Sequence, residues 1–371
     1  MKRMKPSKRN VTPGVPSIRR KQRNAEPRKA AASATESDAA VSVVIVNYNG
    51  ERLLSPCLTS VFSQSFRPME VIVVDNGSTD GSVDLVQKNY PEVRLLRSPT
   101  NVGFAGGNNL GVATARGKYV ALLNNDTVVD PSWLCTLVHA VESRGAPLVA
   151  SKVFTEGVPD PFYRMNGTLN YLGYNIMGAF PDLSMIFYGS GASLLFDRER
   201  IGRPFLDEYF LYQEDVYLSW KLRLLGMNIE MVQDSIVHHK GSVTTRGHSS
   251  RMVTFYQERN RLLNALFFYE GRMLLLLLTY FVADLVSKFV VSILSPRKSF
   301  SGVLRAYAWI PGHCVWIAKE RSRIQSSRTV PDRSIMKMMS YKVIEAESPI
   351  GNFVNALSRG YARLVGLSFH D

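Results

Sequence analysis

From Val41 to Leu123 the chain alternates short apolar runs with amphipathic segments, and each run stops at polar or glycine residues. Val41-Ser42-Val43-Val44-Ile45-Val46 is almost wholly β-branched and ends at Asn47-Tyr48-Asn49-Gly50, the pattern of a buried parallel strand opening into a polar loop. Glu51 to Gln64 places Leu54, Leu58, Val61 and Phe62 at helical spacing, which predicts a first crossover helix. Val71 to Val74 predicts a second strand that ends in Asp75-Asn76-Gly77-Ser78-Thr79-Asp80-Gly81-Ser82, with a helix from roughly Ser82 to Asn89 capped by Asp80. Val93 to Leu96 predicts a third. After it, Asn101 to Gly111 reads as a loop whose glycines let the backbone approach a ligand and whose Asn side chains offer neutral donors and acceptors. A helix to Arg116 and the strand Tyr119 to Leu123 complete a βαβαβ rhythm over about 85 residues, a doubly wound nucleotide-binding half of an α/β fold.

Beyond Asp130-Pro131-Ser132, which starts another helix, the periodicity weakens. Leu148 to Ser151 is a short strand, 155–188 is aromatic and Gly-rich without a clear period, and Gly189 to Phe196 returns to a strand. Tyr209 to Trp220 begins aromatic and then sets Glu214 and Asp215 side by side at the start of a helix continuing through Leu225. Ile229 to Val232 and Ile236-Val237 are short strands ending in His238-His239-Lys240-Gly241-Ser242. The remainder is helical. Met273 to Leu294 is its most apolar stretch, but Asp284 and Lys288 lie inside it at i,i+4, where they can pair. Each charge costs about 2.5–3.5 kcal/mol at the centre of a span, so a helix lying on the membrane surface, anchored by Arg297 and Lys298, is expected over a crossing one. A buried bundle helix is the structural alternative.

Charge sharpens this division. The net charge is +14, but residues 1–40 carry 11 Lys/Arg against 3 Asp/Glu and 295–371 carry 12 against 5, whereas 41–294 holds 22 against 23. Residues 1–40 have almost no large apolar side chains and read as a disordered basic arm. Basic ends on a neutral centre fit an anionic membrane surface at least as well as nucleic acid, which is not the expected partner. Three scattered cysteines indicate neither a disulfide framework nor a zinc site, and the absence of an apolar leader run predicts no secretory signal. A cytoplasmic protein, peripheral on the inner face of the cell membrane, is expected.

The candidate chemistry sits at strand ends. Leu122-Leu123 runs into Asn124-Asn125-Asp126, and a lone carboxylate there suits a hard divalent cation shared with a substrate phosphate, although an Asx turn would look the same. Asp75, first off its strand, could accept from a base N–H or a ribose hydroxyl, or simply form a turn. The Glu214-Asp215 pair is either a dipole-stabilising cap or a general base in an apolar pocket. His238 is a polar strand tip or, as neutral imidazole, completes the cation site begun by Asp126. Gly111 and Gly117-Lys118-Tyr119 are wrongly spaced for a P-loop, and the glycine segment lacks GxGxxG spacing after the first strand, which argues against a dinucleotide-dependent dehydrogenase.

As a set, VSVVIVNYNG, VIVVDNGSTDGS, NVGFAGGNNLG, LLNNDT, GSGASLLFDRE, FLYQEDVYLSWKLRLLG and VHHKGS resemble the family 2 glycosyltransferases of the GT-A fold, particularly the rhamnosyltransferase-like branch, over about residues 41–265. The resemblance implies a Rossmann-like, mostly parallel sheet with helices on both faces, divided into a nucleotide-sugar half (41–130) and an acceptor and catalytic half (131–265), with 266–371 a basic helical region on the membrane surface. It implies donor binding by Asn47, Tyr48, Asp75, Gly103, Asn108, Asn109, Asn124 and Asn125, with Asn124-Asn125-Asp126 at the DxD position and Asp126 as ligand to Mg2+ or Mn2+. His238, in the H-x-x-G pattern with Gly241, would approach the metal or diphosphate. Asp215 of the ED motif would be the base beside Glu214, and Gly191, Ala192 and Trp220 would face the acceptor. Asn124 replaces the first Asp of a strict DxD, and the QxxRW motif of processive synthases is missing. The expected reaction is an inverting, metal-dependent transfer of one sugar, rhamnose from dTDP-rhamnose by branch resemblance, from a nucleotide diphosphate sugar to a lipid-linked or cell-surface glycan. A sugar-nucleotide nucleotidyltransferase and a non-enzymatic binder are the competing readings.

Overall fold

The computed structural model describes residues 41–66, 70–156, 167–176, 186–241, 250–294, 300–344, 348–364 and 366–369. The expected basic arm, 1–40, and the anchor residues Arg297 and Lys298 lie outside them.

The apolar runs become strands β1 (Val41–Asn47), β2 (Glu70–Asp75), β3 (Arg94–Arg97) and β4 (Tyr119–Asn124), which pair in parallel in the order β3-β2-β1-β4. The sheet continues through β9 (Ser193–Asp197), antiparallel to β4, then β6 (Leu148–Thr155), β10 (Ile229–His239) and β5 (Thr127–Val129). A separate hairpin joins β7 (Thr168–Leu169) to β8 (Asn175–Ile176). The two short strands expected around 229–237 are one strand, its register shifting between Val232 and Ile236.

Because successive strand residues point to opposite faces, the sheet builds two cores. Val43, Ile45, Val71, Val73, Ala121 and Leu123 meet α1 (Glu51–Phe62), α2 (Ser82–Asn89) and α4 (Trp133–Arg144) on one face. Val44, Ile72, Val74, Val120 and Leu122 meet α3 (Gly103–Thr114), the Glu214–Leu224 helix and the C-terminal helices on the other. The N-cap position of α2 is Gly81 rather than the expected Asp80, but Asp80, one residue earlier, accepts from Ser82 N at Oδ1 (3.1 Å) and from Glu51 N at Oδ2 (3.0 Å), tying the starts of α2 and α1 together.

The expected glycine loop at 101–111 is instead mostly helix. Gly107 and Gly111 sit on β1, where a Cβ would fall 2.7 Å from Val46 Cγ1 and would overlap Val44. Gly107 and Gly111 serve helix-to-sheet approach rather than ligand approach, while Gly103 reaches the cleft, and α3 draws its stability from packing on the sheet despite glycine's low propensity.

The Gly271–Leu294 helix is long and apolar enough to cross a membrane by length and composition. Asp284 and Lys288 do pair, at 2.8 Å, and they turn inward: Lys288 also reaches Glu258, and Arg261 bonds both Glu258 (2.8 Å) and Asp284 (2.9 Å). With Asp284 and Lys288 spent on the protein, the helix presents Leu275 (74% exposed), Leu278, Val282, Val286 and Phe289 outward.

Candidate active site

Parallel pairing in register aligns the carboxyl ends of the central strands: Asn47 lies opposite Asp75, and Val46 opposite Asn124. Ligands bind at that edge in open α/β sheets, because the strands fix backbones whose onward loops carry polar groups. A cleft of about 240 Å3 opens there, lined by Tyr48, Asn76, Asn101, Gly103, Phe104, Asn124, Asn125, Asp126, Gly191, Ala192, Phe210 to Tyr212, Glu214, Asp215 and His239 among others. Asp126 and Asp215, some ninety residues apart in the chain, therefore share one crevice.

Around Asp126 the geometry comes from strand pairing. Antiparallel β5 and β10 set His239 opposite Thr127, and His239 Nε2 lies 3.0 Å from Asp126 Oδ1 with both side chains buried. His238, the residue expected here, points the other way. It is 59% exposed and lies 3.2 Å from Asp130, because adjacent strand residues alternate faces. Strand alternation accounts for the choice: Val237 is fully buried, and His239, two residues on, shares its face, which the adjacent apolar pair Ile236-Val237 did not reveal in the sequence. Asn47 Oδ1 accepts from Asn125 Nδ2 (2.8 Å), and Asn47 Nδ2 donates to Ser78 Oγ (3.3 Å), so Asn47 braces the turn from beneath rather than facing the cleft.

Some of the buried side-chain atoms without a partner among the described residues lie here: Asn124 Oδ1, Glu214 Oε2 and His239 Nδ1 on the cleft, and Asp75 Oδ1 at the end of β2. Such atoms are costly in a folded interior and mark places where a ligand or solvent supplies the missing bond.

The acidic pair opens the Glu214–Leu224 helix. Burial, and then the neighbouring Asp215 charge, push the Glu214 carboxyl up to about 8. Burial also raises Asp215, but Gly191 N donates to its Oδ2 (3.1 Å) and Val216 N to its Oδ1 (2.8 Å), and both bonds favour the anion. The two N–H groups favour the anion at Asp215, whereas burial with one oxygen unpartnered favours the protonated form at Glu214. The segment before it is strained: Phe210, Tyr212 and Gln213 have φ of 59°, 69° and 68°, conformations costing about 1–3 kcal/mol each for such side chains.

Three other expected positions lie elsewhere. Trp220 is wholly buried against Phe187, Phe268 and Tyr269, not at the acceptor side; five residues past Asp215 on a helix, it points about 140° away. Asn108 donates to Phe104 O within α3, and Asn109 clips Phe205 and Asp207, so neither lines the cleft. Both were expected on a loop, and the helix turns them inward. Asn76, Asn101 and the wall from Phe210 to Tyr212 were not expected. Asn76 had a local signal beside Asp75, whereas the aromatic wall had none.

Comparison with known proteins agrees with this geometry. Residues 42–202 match the family model described as glycosyl transferase family 2. An N-acetylglucosaminyl-diphospho-decaprenol L-rhamnosyltransferase of Mycobacterium tuberculosis is 27% identical over 251 residues, covering 58% of this chain and 81% of that protein. The glycosyltransferase GlyG of Streptococcus pneumoniae is 30% identical over 117 residues, 31% of this chain and 39% of that protein, and an uncharacterized glycosyltransferase of Escherichia coli K12 is 38% identical over 101 residues, 26% and 29%. The chain thus spans well under half the length of these last two relatives. Among solved structures, GalNAc-T7 with UDP, GalNAc and Mn2+ superposes with a TM-score of 0.52 at 16% identity, over 78% of this chain and 57% of that one, a likeness of fold. The strand-edge cleft, its acidic turn and its acidic pair lie in a GT-A-like α/β fold, and residues 42–202 of the chain are similar to the glycosyl transferase family 2 model.

Proposed function

We propose that the chain is an inverting, non-processive glycosyltransferase that moves one sugar from a nucleotide diphosphate donor to a hydroxyl of a glycan or lipid-linked acceptor. The observation that carries this reading is the convergence of Asp126 and Asp215 on one cleft at the carboxyl edge of the sheet. The acceptor hydroxyl attacks the anomeric carbon, the bond to the diphosphate breaks through an oxocarbenium-like state, and Asp215 takes the hydroxyl proton. Gly191 and Val216 N–H groups fix the carboxylate for that task, and Gly191-Ala192 lies on the acceptor side. Tyr48 on the cleft and Asp75, buried at the end of β2 with one carboxylate oxygen unpaired, are suited to the nucleoside.

A divalent metal is part of this reading. Among the described residues no three His, Cys, Asp or Glu side chains group closely enough to hold one. However, Asp126, His239 and the unpaired Asn124 Oδ1 form a mixed oxygen and nitrogen set on the cleft, which fits an ion that shares its shell with a diphosphate and water. Mg2+ or Mn2+ held there would supply Lewis-acid stabilisation of the leaving diphosphate. The Mn2+ and UDP of the GalNAc-T7 structure are consistent with that choice, and the mycobacterial rhamnosyltransferase makes dTDP-rhamnose the first donor to try. The outward apolar face of the Gly271–Leu294 helix supports membrane-surface attachment and so a lipid-linked acceptor.

Donor turnover across a panel of UDP-, dTDP- and GDP-sugars, with Mg2+ or Mn2+, tests the reading. Transfer should appear with one donor, and Asp215→Asn should lower kcat about 10^2- to 10^4-fold while the donor still binds. Near-normal transfer by that variant would remove Asp215 from the role of base.

A further inference from the structure

The strained wall of the cleft is held by a helix that never touches the cleft. Asn260, Asn264 and Arg259, all on the Ser250–Phe268 helix and all buried, point at the segment that leads into the acidic pair. Asn260 Nδ2 donates to the carbonyls of Tyr209 (2.9 Å), Leu211 (3.0 Å) and Tyr212 (2.7 Å). Its Oδ1 accepts from Arg259 Nε (2.9 Å) and NH2 (2.7 Å), so the guanidinium fixes which end of the amide faces the segment. Arg259 also bonds Tyr209 O (3.2 Å) and Glu208 O, and its plane is enclosed by Phe255, Tyr256 and Trp309. Asn264 Nδ2 donates to Gln213 O (3.3 Å) and its Oδ1 accepts from Tyr209 OH (2.5 Å). Tyr256 of the same helix stacks on Phe210, and from α3 Ala105 N donates to Phe210 O (3.2 Å).

Every carbonyl in this set belongs to 208–213, and three residues of that stretch sit at positive φ without being glycine. A conformation of this kind persists only where its surroundings over-determine it, and the two asparagines and the arginine provide that. The next residues are Glu214 and Asp215, so the height and direction of the base follow from where these carbonyls are tied.

We infer that Asn260, supported by Arg259 and Asn264, is a positioning residue: it holds the Tyr209–Gln213 segment in its strained form and thereby sets Asp215 against the acceptor side of the cleft. The inference rests on the transferase reading and adds to it a role for the helix beyond residue 250, which lies outside the matched family region. Asparagine is required at 260 because the segment presents only carbonyl acceptors to it; aspartate has the same shape and no donor to give them.

The test uses the full chain and Asn260→Asp, with Asn264→Asp as the milder variant, since it keeps the acceptor for Tyr209 OH and loses only the donor to Gln213. Hydrogen exchange of the amides at 209–217 should speed up in the variant, with 41–130 unchanged. kcat should fall about 10^2-fold, as expected for a reacting group displaced by about 1 Å. KM for the donor and the thermal shift given by UDP, dTDP or GDP should stay at wild-type levels. Unchanged exchange with kcat within threefold of wild type overturns the inference. So does a uniform loss, in which exchange rises over the whole of 41–265 and the nucleotide response falls with kcat, since that marks a residue needed only for folding. If Asn260→Asp does not fold, Asn264→Asp decides by the same criteria. A wild-type protein that turns over no nucleotide sugar refutes the transferase reading, and the exchange comparison alone then decides whether the clamp holds the segment.

Discussion

Glu214 and Asp215 differ by one methylene and one position, yet their surroundings part them. Asp215 receives two backbone N–H groups, whereas Glu214 keeps a buried oxygen without a partner. Glu214 therefore carries a raised value in the folded protein, about 8 against 4.5 for the free side chain. The folded state holds a proton that the unfolded chain releases, so the contribution of Glu214 to stability is complete below about pH 4.5 and is lost as pH rises towards about 8. Glu214→Gln removes that loss, and its melting temperature should overtake wild type progressively across this window; parallel curves would show that Glu214 ionises normally. Activity should change in the opposite sense at the acid end, because protonating Asp215 removes the base, and its burial starts that fall at higher pH than for an ordinary aspartate. A second contrast lies at the two histidines. His239→Ala should weaken the thermal shift produced by Mn2+ with a nucleotide diphosphate, and His238→Ala should leave it intact; equal effects would contradict the assignment of His239 to the site.

At the scale of elements, α3 is the least expected helix and the one on which the donor half depends. It carries Gly103 to the cleft and receives Phe210 O through Ala105 N, so its distance from β1 sets the width of the crevice. Gly111 fixes that distance, because a Cβ there would overlap Val44. Gly111→Ala should cost about 1–3 kcal/mol by overpacking, read from chemical denaturation. An unchanged midpoint would mean that the helix shifts freely on the sheet.

For the whole molecule, the Ser250–Phe268 helix joins two regions. One face holds the strained segment, and through Glu258 and Arg261 another holds Asp284 and Lys288 of the apolar helix. That network turns the charges inward and leaves Leu278 and Val282 outward. Leu278→Glu with Val282→Glu should abolish sedimentation with anionic vesicles without altering the thermal response to nucleotide, because neither side chain meets the cleft. Persistent vesicle binding would move attachment to the basic segments, whose contribution falls steeply with salt.

The order of β1 to β4 with α1 and α2 between them, and the polar turns at Asn47, Asp75 and Asn124 to Asp126, were legible in the chain itself, whereas the start of α3 and the short β5 were not. Apolar period and β-branched composition are local properties, and a buried parallel strand must end where its apolar run ends. The ED pair was legible for the same reason, as adjacent acids opening a helix. Tertiary contacts decided the rest. Only the pairing of β5 with β10 selects His239 over His238, only β1 makes a helix of a glycine-rich run, and only the closure of the core hides Trp220. Asn260 looks like any polar helical residue until the carbonyls of Tyr209, Leu211 and Tyr212 arrive beside it. Hydrogen bonds that join residues about fifty positions apart leave no periodic trace along the chain, and so the clamp and the aromatic wall come into being only when the chain is folded.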